Sequence, residues 1–574
     1  MIYRPALRPL ALSLALTLLP LTARAFDPAN GDFTRANSTD IRVLTYNVVN
    51  RFINVSSRDA EFQRIFTAID PDIVSFQEMT PSLTTAEIEA RLESYFPADT
   101  WNVFLGVSSY GIRNVLASRY PLSMTTQNST PPVSYRGLTS GLVDLPDATY
   151  GTTDFYVMAV HLKSGGGTGP SGDHAERQAE ADAIINWMRD ARTAGENIDL
   201  PANTPMLVVG DMNLGYLDQG DEIPYHATRT LRTGDIFDNG TYGLDSPPDW
   251  DGTDSADAAP YDHTNADPHT DPSSTPESRL DRFVYTDSVL HPVNRFVLNT
   301  LTLSSAALAS AGLQLNDTNG AGGGSGASDH LPSVVDFALG PDPNPPGQVL
   351  INEFSYDDPG ADDHSFVELI NVGGQEVDLQ APFDYRLLVS TNSLPTSPPG
   401  AENEDRDLDL QGIIPPGGLF VVYNSTADSS VVAATIQANL PVLQGQDITG
   451  GFPTGFGLPN GSDAALALVT SEPITNSSTQ LDDTEVEAYL YEDTDTAAGA
   501  THYFRTNSTN NLLIALQSAQ ESPTTVATDT QTYSRNQGDA TVNSYAAWTI
   551  PDAATPGLPN ATAVPVELSV FSAD

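Results

Sequence analysis

Ser328-Asp-His-Leu-Pro-Ser-Val-Val-Asp-Phe337 places a carboxylate and an imidazole side by side, directly before a β-branched run. Val334 to Phe337 reads as a closing strand, so Asp329 and His330 lie in the loop that enters it. Upstream, the same arrangement recurs. Asn47 follows the strand pattern Ile41 to Tyr46, and Glu78 follows Ile73 to Gln77. His161 ends the run from Phe155. Asp211 and Asn213 follow Met206 to Gly210, and Asp281 lies in the strand-like run Arg279 to Tyr285. Val103 to Val107, Val115 to Ser118 and Gly141 to Asp144 are further strand candidates. Glu61 to Ile69 and Glu176 to Arg192 have helical spacing. Strands and helices interleave, but several strands follow one another directly, which favours an α/β sandwich containing hairpins over a doubly wound sheet. Polar side chains set repeatedly at strand ends can meet at one edge of such a fold.

That set suits phosphodiester hydrolysis. A phosphate diester is anionic and repels a nucleophile, and a divalent cation offsets the charge and stabilises the leaving oxygen. Hard cations such as Mg²⁺ take carboxylate and amide oxygens, for which Asn47, Glu78 and Asp329 are candidates. The attacking water needs a base, and both Asp211 and His330 qualify. His161 suits donation to the phosphoryl oxygens. Asp281 is placed to orient His330 and to favour its imidazolium.

The segments Leu44-Thr-Tyr-Asn47, Gln77-Glu78, His161-Leu-Lys-Ser164, Gly210-Asp-Met-Asn213, Arg279-Leu-Asp281 and Ser328-Asp-His-Leu-Pro332 occur in this order. Together they resemble the endonuclease/exonuclease/phosphatase superfamily, which includes deoxyribonuclease I, exonuclease III-type repair nucleases, neutral sphingomyelinases and inositol-polyphosphate 5-phosphatases. The resemblance implies a four-layer α/β/β/α sandwich and Mg²⁺- or Mn²⁺-dependent attack of water on phosphorus. It gives metal-site roles to Asn47, Glu78 and Asp329, and phosphate-contacting and acid/base roles to His161 and His330. Asp211 and Asn213 would position or activate the water, with Asp281 orienting His330. Lys163, the only lysine, and Arg113, Arg136 and Arg177 are further candidates for phosphate binding, each set against a surface ion pair.

The rest of the chain bounds these expectations. Arg4 and Arg8, an apolar run from Leu10 to Leu21 and Ala23-Arg24-Ala25 describe a secretory signal over residues 1–25. No other stretch is long and apolar enough to be a transmembrane segment, and the protein is expected to be secreted, extracellular or attached to a cell surface. Cysteine is absent, which excludes disulfides, thiolate metal sites and cysteine nucleophiles. The formal charge is −49, and an acidic surface of this kind suits a salt-rich habitat, where self-repulsion is screened. Asp235 to Ser278, rich in Asp, Pro, Thr and Ser, reads as a long, poorly regular surface insert. Its aspartates could hold a structural Ca²⁺, but no EF-hand spacing is present, and His263 and His269 read as solvated loop residues. Gly320 to Gly326 lacks the lysine of a P-loop and reads as a flexible loop.

The first domain is expected over 40–339, with a linker at 340–347. Residues 348–562 change to short alternating runs split by Gly, Pro, Asn and Asp, an all-β pattern. Leu350-Ile-Asn-Glu-Phe354, Asp362 to Asn371, Leu458-Pro-Asn-Gly-Ser-Asp463 and Thr555-Pro-Gly-Leu-Pro-Asn560 resemble the lamin-tail domain, an immunoglobulin-like β-sandwich found appended to secreted bacterial nucleases. Only four of the 25 basic residues but 32 of the 74 acidic ones lie in 341–574, which argues against phosphate binding there. A spacer, or contact with a cell surface or matrix, suits this part better. Residues 563–574 form a C-terminal extension.

Three functions compete. A nuclease acting on DNA or RNA leads, although an acidic enzyme repels a polyanion unless salt or a local basic groove intervenes. A lipid or small-molecule phosphodiesterase of the sphingomyelinase kind would need an exposed apolar hairpin, and the loops read as polar. A non-catalytic adhesion protein that keeps a nuclease-like fold is the third, because fold does not prove activity.

Overall fold

A computed structural model describes residues 26–343 except 129–135, 168, 170, 196, 215–224, 226, 273–278 and 320–325. Beyond these it describes 347–355, 366–380, 384–390, 402–403, 406–423, 445–447, 464–472, 482–492, 501–505, 513–517, 532–535 and 548–552. The proposed signal, most of the glycine-rich loop and the C-terminal extension lie outside the described residues.

The first domain runs in the order β1 (Ile41–Asn47), α1 (Asp59–Ile69), β2 (Ile73–Met79), α2 (Thr85–Tyr95), β3 (Asn102–Leu105), β4 (Arg113–Ser118), β5 (Leu122–Asn128) and β6 (Leu138–Val143). It continues with α3 (Asp147–Tyr150), β7 (Phe155–His161), α4 (Asp173–Ala191), β8 (Met206–Asp211), α5 (Ala227–Thr233), α6 (Asn239–Tyr242), β9 (Ala256–Asp257), β10 (Asp281–Tyr285), β11 (Leu290–Val297), α7 (Ser305–Ala311) and β12 (Ser333–Leu339). Two six-stranded sheets result, in the orders β11-β12-β1-β2-β4-β3 and β5-β6-β7-β8-β10-β9.

Period-two alternation builds the layers. Ile41 and Val43 of β1, Val335 and Phe337 of β12, Val157 of β7, Leu207 and Val209 of β8 and Phe283 of β10 form one apolar cluster between the sheets. The opposite face of β1 and β2, with Leu44, Tyr46, Val74 and Phe76, packs on Phe62, Ile65 and Phe66 of α1 and Ile88 and Leu92 of α2. The opposite face of β7 and β8, with Tyr156, Met158, Met206 and Val208, packs on Ile184, Ile185 and Met188 of α4. The layers are therefore helix, sheet, sheet, helix. A capping box at Thr84 and Glu87 starts α2 and satisfies its first backbone donors.

Sequence periodicity passed over β5, β11, α2 and α7. It also mistook the stretch from Asp235. Residues 235–272 are as poorly regular as expected, with α6 and β9 their named elements, but they are anchored and not draped over the surface, and bury Asp249, Asp262 and Thr270. Low apolar content hid this, because carboxylate and hydroxyl hydrogen bonds hold the stretch.

The regular elements of the second part are all strands among its described residues. Val349–Ser355, Phe366–Asn371 and Leu419–Tyr423 belong to a six-stranded sheet, and Asp384–Ser390 and Ala464–Glu472 to a four-stranded one. Val349, Ile351, Val367, Leu369 and Phe420 of the first share a core with Leu387, Val389, Leu466 and Leu468 of the second. Arg535 is buried in this part and donates to the Ile351 carbonyl at 2.8 Å and to the Tyr489 hydroxyl at 3.0 Å. No helix among the described residues is long and apolar enough to cross a membrane.

Candidate functional site

Followed along each strand, the inter-sheet face changes character. On β1 it reads Ile41, Val43, Thr45, Asn47; on β8 Leu207, Val209, Asp211; on β10, in reverse, Tyr285, Phe283, Asp281. Apolar side chains fill one end of the sandwich interior and polar ones the other. Parallel pairing of β7 with β8 sets His161 opposite Asp211, and antiparallel pairing of β10 with β8 sets Asp281 opposite the same residue. Parallel β1 and β2 set Asn47 opposite Gln77.

Across the sheets these residues meet. Asn47 Nδ2 donates to Asp211 Oδ2 at 2.9 Å. His161 Nε2 lies 3.3 Å and His330 Nε2 3.7 Å from that oxygen. His330 Nδ1 is 2.8 Å from Asp281 Oδ2. The Asn213 backbone N–H donates to Asp211 Oδ1 at 3.0 Å, and its side-chain amide to the Leu162 carbonyl at 3.1 Å. Ser328 Oγ donates to the Asn47 carbonyl at 2.6 Å, which ties the Asp329–His330 loop to the end of β1. Strict alternation would turn Glu78 toward the helices with Val74 and Phe76. A register shift between Phe76 and Met79 and a left-handed Glu78 (φ 56°) turn it inward, and its Oε1 lies 4.0 Å from His161 Nε2. A non-glycine residue in that conformation costs about 1 kcal/mol or more and commonly marks function. At Gly210 a Cβ would stand 2.0 Å from the Val160 carbonyl oxygen, so only glycine lets β7 approach beside Asp211.

Burial and charge separate the titrating groups. Burial raises the Asp211 carboxyl, the His330 charge opposes this and the Asp281 charge adds to it, for a value of about 7. For His330 burial works against the charged form, but the carboxylates of Asp281, Asp211 and Asp329 outweigh it and push the imidazole up to about 10. Burial, then the Arg136 and His330 charges, hold His161 well below its ordinary value. The two imidazoles are thus pushed in opposite directions, His330 toward its charged form and His161 away from it.

Sequence reasoning missed three supports. Thr270, in the supposed surface insert, accepts the Leu280 and Asp281 backbone N–H groups at 3.1 Å each on its hydroxyl. Its carbonyl takes the Leu331 N–H at 2.7 Å, so one residue clamps both sides of the Asp281–His330 pair. Gln77, fully buried, bridges the Ser75 hydroxyl at 2.8 Å and the Thr45 hydroxyl at 3.2 Å beneath the site. Ser328 is the third. The period-two pattern flags Gln77, since Ser75 and Gln77 continue the inner face after Ile73; no sequence signal marks Thr270.

The four basic candidates part company. Arg136 Nη1 donates to the Leu162 carbonyl at 2.8 Å, beside Asn213 and His161. Arg177 is buried and donates to the Lys163 and Gly165 carbonyls at 2.6 and 2.8 Å, so it organises the loop after β7. Lys163 pairs with Asp173 through its ammonium. Arg113 donates to the Pro81 carbonyl. Arg136 alone of the four stands against the constellation.

A divalent cation can be tested against the donors present. Among the described residues no three His, Asp or Glu side chains converge as a metal cage. Mg²⁺ does not need one, because it commonly takes one or two carboxylates and keeps several waters. The Glu78 and Asp329 carboxylates and the Asn47 side-chain amide oxygen are hard oxygens of the right kind. Asn50, whose backbone N–H donates to the Glu78 carbonyl at 2.8 Å, has a buried side-chain oxygen with no protein partner. The set fits.

The profile described as the Endonuclease/Exonuclease/phosphatase family matches residues 44–330. Similar solved structures include an endonuclease/exonuclease/phosphatase from Beutenbergia cavernae DSM 12333, 16% identical, with 78% of this chain and 98% of that one covered and a TM-score of 0.36. Another is D. rerio TDP2 complexed with single strand DNA product, 15% identical over 53% of this chain and 100% of that one, TM-score 0.33. A third is SmcL, 13% identical over 52% and 99%, TM-score 0.34. No curated protein matches. Likenesses this low say nothing about substrate.

Proposed function

The chain belongs to the Endonuclease/Exonuclease/phosphatase family, whose members hydrolyse phosphate esters, and from that premise we propose that it is a divalent-metal-dependent phosphodiesterase, exported and acting on nucleic acid. The observation that carries this is the chain Asn47–Asp211–His330–Asp281, closed by hydrogen bonds and ion pairs at the polar end of the sandwich. Bound at Glu78, Asp329 and Asn47, Mg²⁺ or Mn²⁺ would neutralise phosphate charge and stabilise the departing oxygen. Asp211 takes the proton of the attacking water, its two oxygens fixed by Asn47 and by the Asn213 N–H. His330, kept as imidazolium by Asp281, donates to a phosphoryl oxygen as charge builds. His161 and the Arg136 guanidinium would contact the same phosphate. The carboxylates around His330 favour its imidazolium, which supports Asp211 over His330 as the base.

A second reading has one observation in its favour. The turn between β3 and β4 lies at the Glu78 end of its sheet and exposes Tyr110 at 78% and Val107 at 42%. An apolar hairpin at the rim suits a lipid phosphodiester, against the polar loops expected from sequence. We keep the immunoglobulin-like, lamin-tail reading of the second part as a proposal, with a spacer role.

The test incubates the full chain with plasmid, RNA, sphingomyelin and a chromogenic phosphodiester, with Mg²⁺ or chelator, across salt. Chelator-sensitive cleavage of nucleic acid is expected. Cleavage of sphingomyelin alone would move the assignment to lipid, and no cleavage of any substrate would remove it.

A further inference from the structure

His161 has two ring nitrogens, and the site accounts for only one. Nε2 lies 3.3 Å from the Asp211 carboxylate; with its proton on that nitrogen, the ring leaves Nδ1 as an acceptor. Nδ1 is buried and has no protein partner. Two more fully buried polar side chains share the inter-sheet face at this end. Asn114 of β4 has neither its amide oxygen nor its amide nitrogen bonded, and Thr139 of β6 leaves its hydroxyl unbonded.

Register brings the three together. Thr139 pairs with Ala159, two residues before His161 on the same face of β7, a diagonal separation of roughly 7 Å. From the other sheet, Asn114 lies opposite the Gln77–Glu78 bulge, and its carbonyl takes the Gly106 N–H at 2.9 Å. A Cβ on Gly106 would stand 2.2 Å from Thr139 Oγ1 and 2.8 Å from the Asn114 carbonyl oxygen, so Thr139 reaches across to the Asn114 strand. Four unbonded polar atoms in one dry layer would cost about 1–3 kcal/mol each. A buried water typically makes about three hydrogen bonds to such groups.

We propose that Asn114 and Thr139 are positioning residues that hold an internal water against His161 Nδ1. The water accepts from Asn114 Nδ2 and from the Thr139 hydroxyl, and donates to Nδ1. That bond fixes the Nε2–H tautomer and ring orientation at the Asp211 side. It does for His161 what Asp281 does for His330, with a neutral partner in place of a carboxylate. The proposal rests on the function above only for its effect on turnover.

The test is nitrogen-15 NMR of the histidine rings in the full chain, on wild type, Asn114→Leu, Thr139→Val and Thr139→Ser. The wild type should show His161 as a single Nε2–H tautomer with Nδ1 shifted by an accepted hydrogen bond. Asn114→Leu and Thr139→Val should move Nδ1 toward the value of a free imidazole nitrogen and leave His330 unmoved, while Thr139→Ser restores it. Where the phosphodiesterase reading also holds, kcat should fall about tenfold with KM unchanged, in line with loss of an outer hydrogen-bond partner. An Nδ1 signal identical in wild type and Thr139→Val, a change that replaces the hydroxyl with a methyl of similar size, would overturn the proposal. So would the Nδ1–H tautomer in wild type. These spectra need no activity, so they stand or fall apart from the substrate assay.

Discussion

The two ends of the sandwich interior are built by the same rule and do opposite work. Ile41, Val43, Leu207, Val209, Phe283 and Phe337 occupy the inner positions at one end, where nothing but packing is required. Further along the same strands, two residues beyond Val209 and Phe283 and four beyond Val43, the same face carries Asp211, Asp281 and Asn47, all nearly or fully buried. Burying these groups is costly unless each is paired, and each is tied to a neighbour. The apolar end supplies the stability on which the polar end draws. Asn47, His161, Asp211 and Asp281 thus sit at the ends of rigid strands, and the Asp329–His330 loop is tied to them through Ser328 and Asp281, which fixes donor and acceptor positions in advance.

The contrast predicts a separation of effects. Asp211→Asn removes the proposed proton acceptor and keeps its shape; turnover should drop on the order of 10²–10⁴-fold with little change in melting temperature, measured on any cleaved phosphodiester. An equal loss of melting temperature would mean that the carboxylate is structural. At the other end, Phe337→Ala should cost about 3–5 kcal/mol in denaturant unfolding, while the folded fraction keeps its turnover. Thr270→Val tests the clamp on Asp281 and His330 and should lower kcat roughly tenfold through misalignment. Unchanged kcat in that variant would return the segment to a purely structural role.

The smallest effect concerns a buried carboxylate outside both ends. Burial raises Asp254 to about 6, against partial relief from Arg232 and Arg229. Its folded value exceeds its unfolded one, so the folded state holds the proton more tightly. The penalty is fully present above about pH 6 and gone below about pH 4, and stability falls as pH rises through that window. Asp254→Asn should therefore stabilise the protein at pH 7, on the order of 1–2 kcal/mol, and flatten the pH dependence of unfolding between pH 4 and 6, with turnover intact. A destabilised variant at pH 7 would contradict this.

Much of this was legible in the sequence because alternation and strand-end chemistry coincide. Inner-face parity places Asn47, Asp211 and Asp281 once the strands are recognised. Parity fails at Glu78, where a bulge and a left-handed backbone reverse the side chain, a local conformation that no pattern of residue types announces. It fails differently at Thr270, whose role depends on two backbone segments meeting it from far along the chain. Arg177 and Lys163 looked like phosphate ligands because composition cannot tell a guanidinium or ammonium that holds a loop from one that meets a ligand. Tyr110 was hidden for the opposite reason, its exposed ring flanked by serine and glycine in a turn that reads as polar.

The most direct test sets His330→Ala beside the wild-type chain on one chromogenic phosphodiester, with Mg²⁺ and with chelator, recording turnover and melting temperature together. The geometry predicts chelator-sensitive turnover in the wild type, a loss on the order of a thousandfold in the variant, and nearly equal melting temperatures. Equal turnover in the two proteins, or wild-type cleavage indifferent to chelator, would contradict the assignment of the polar end as the catalytic site.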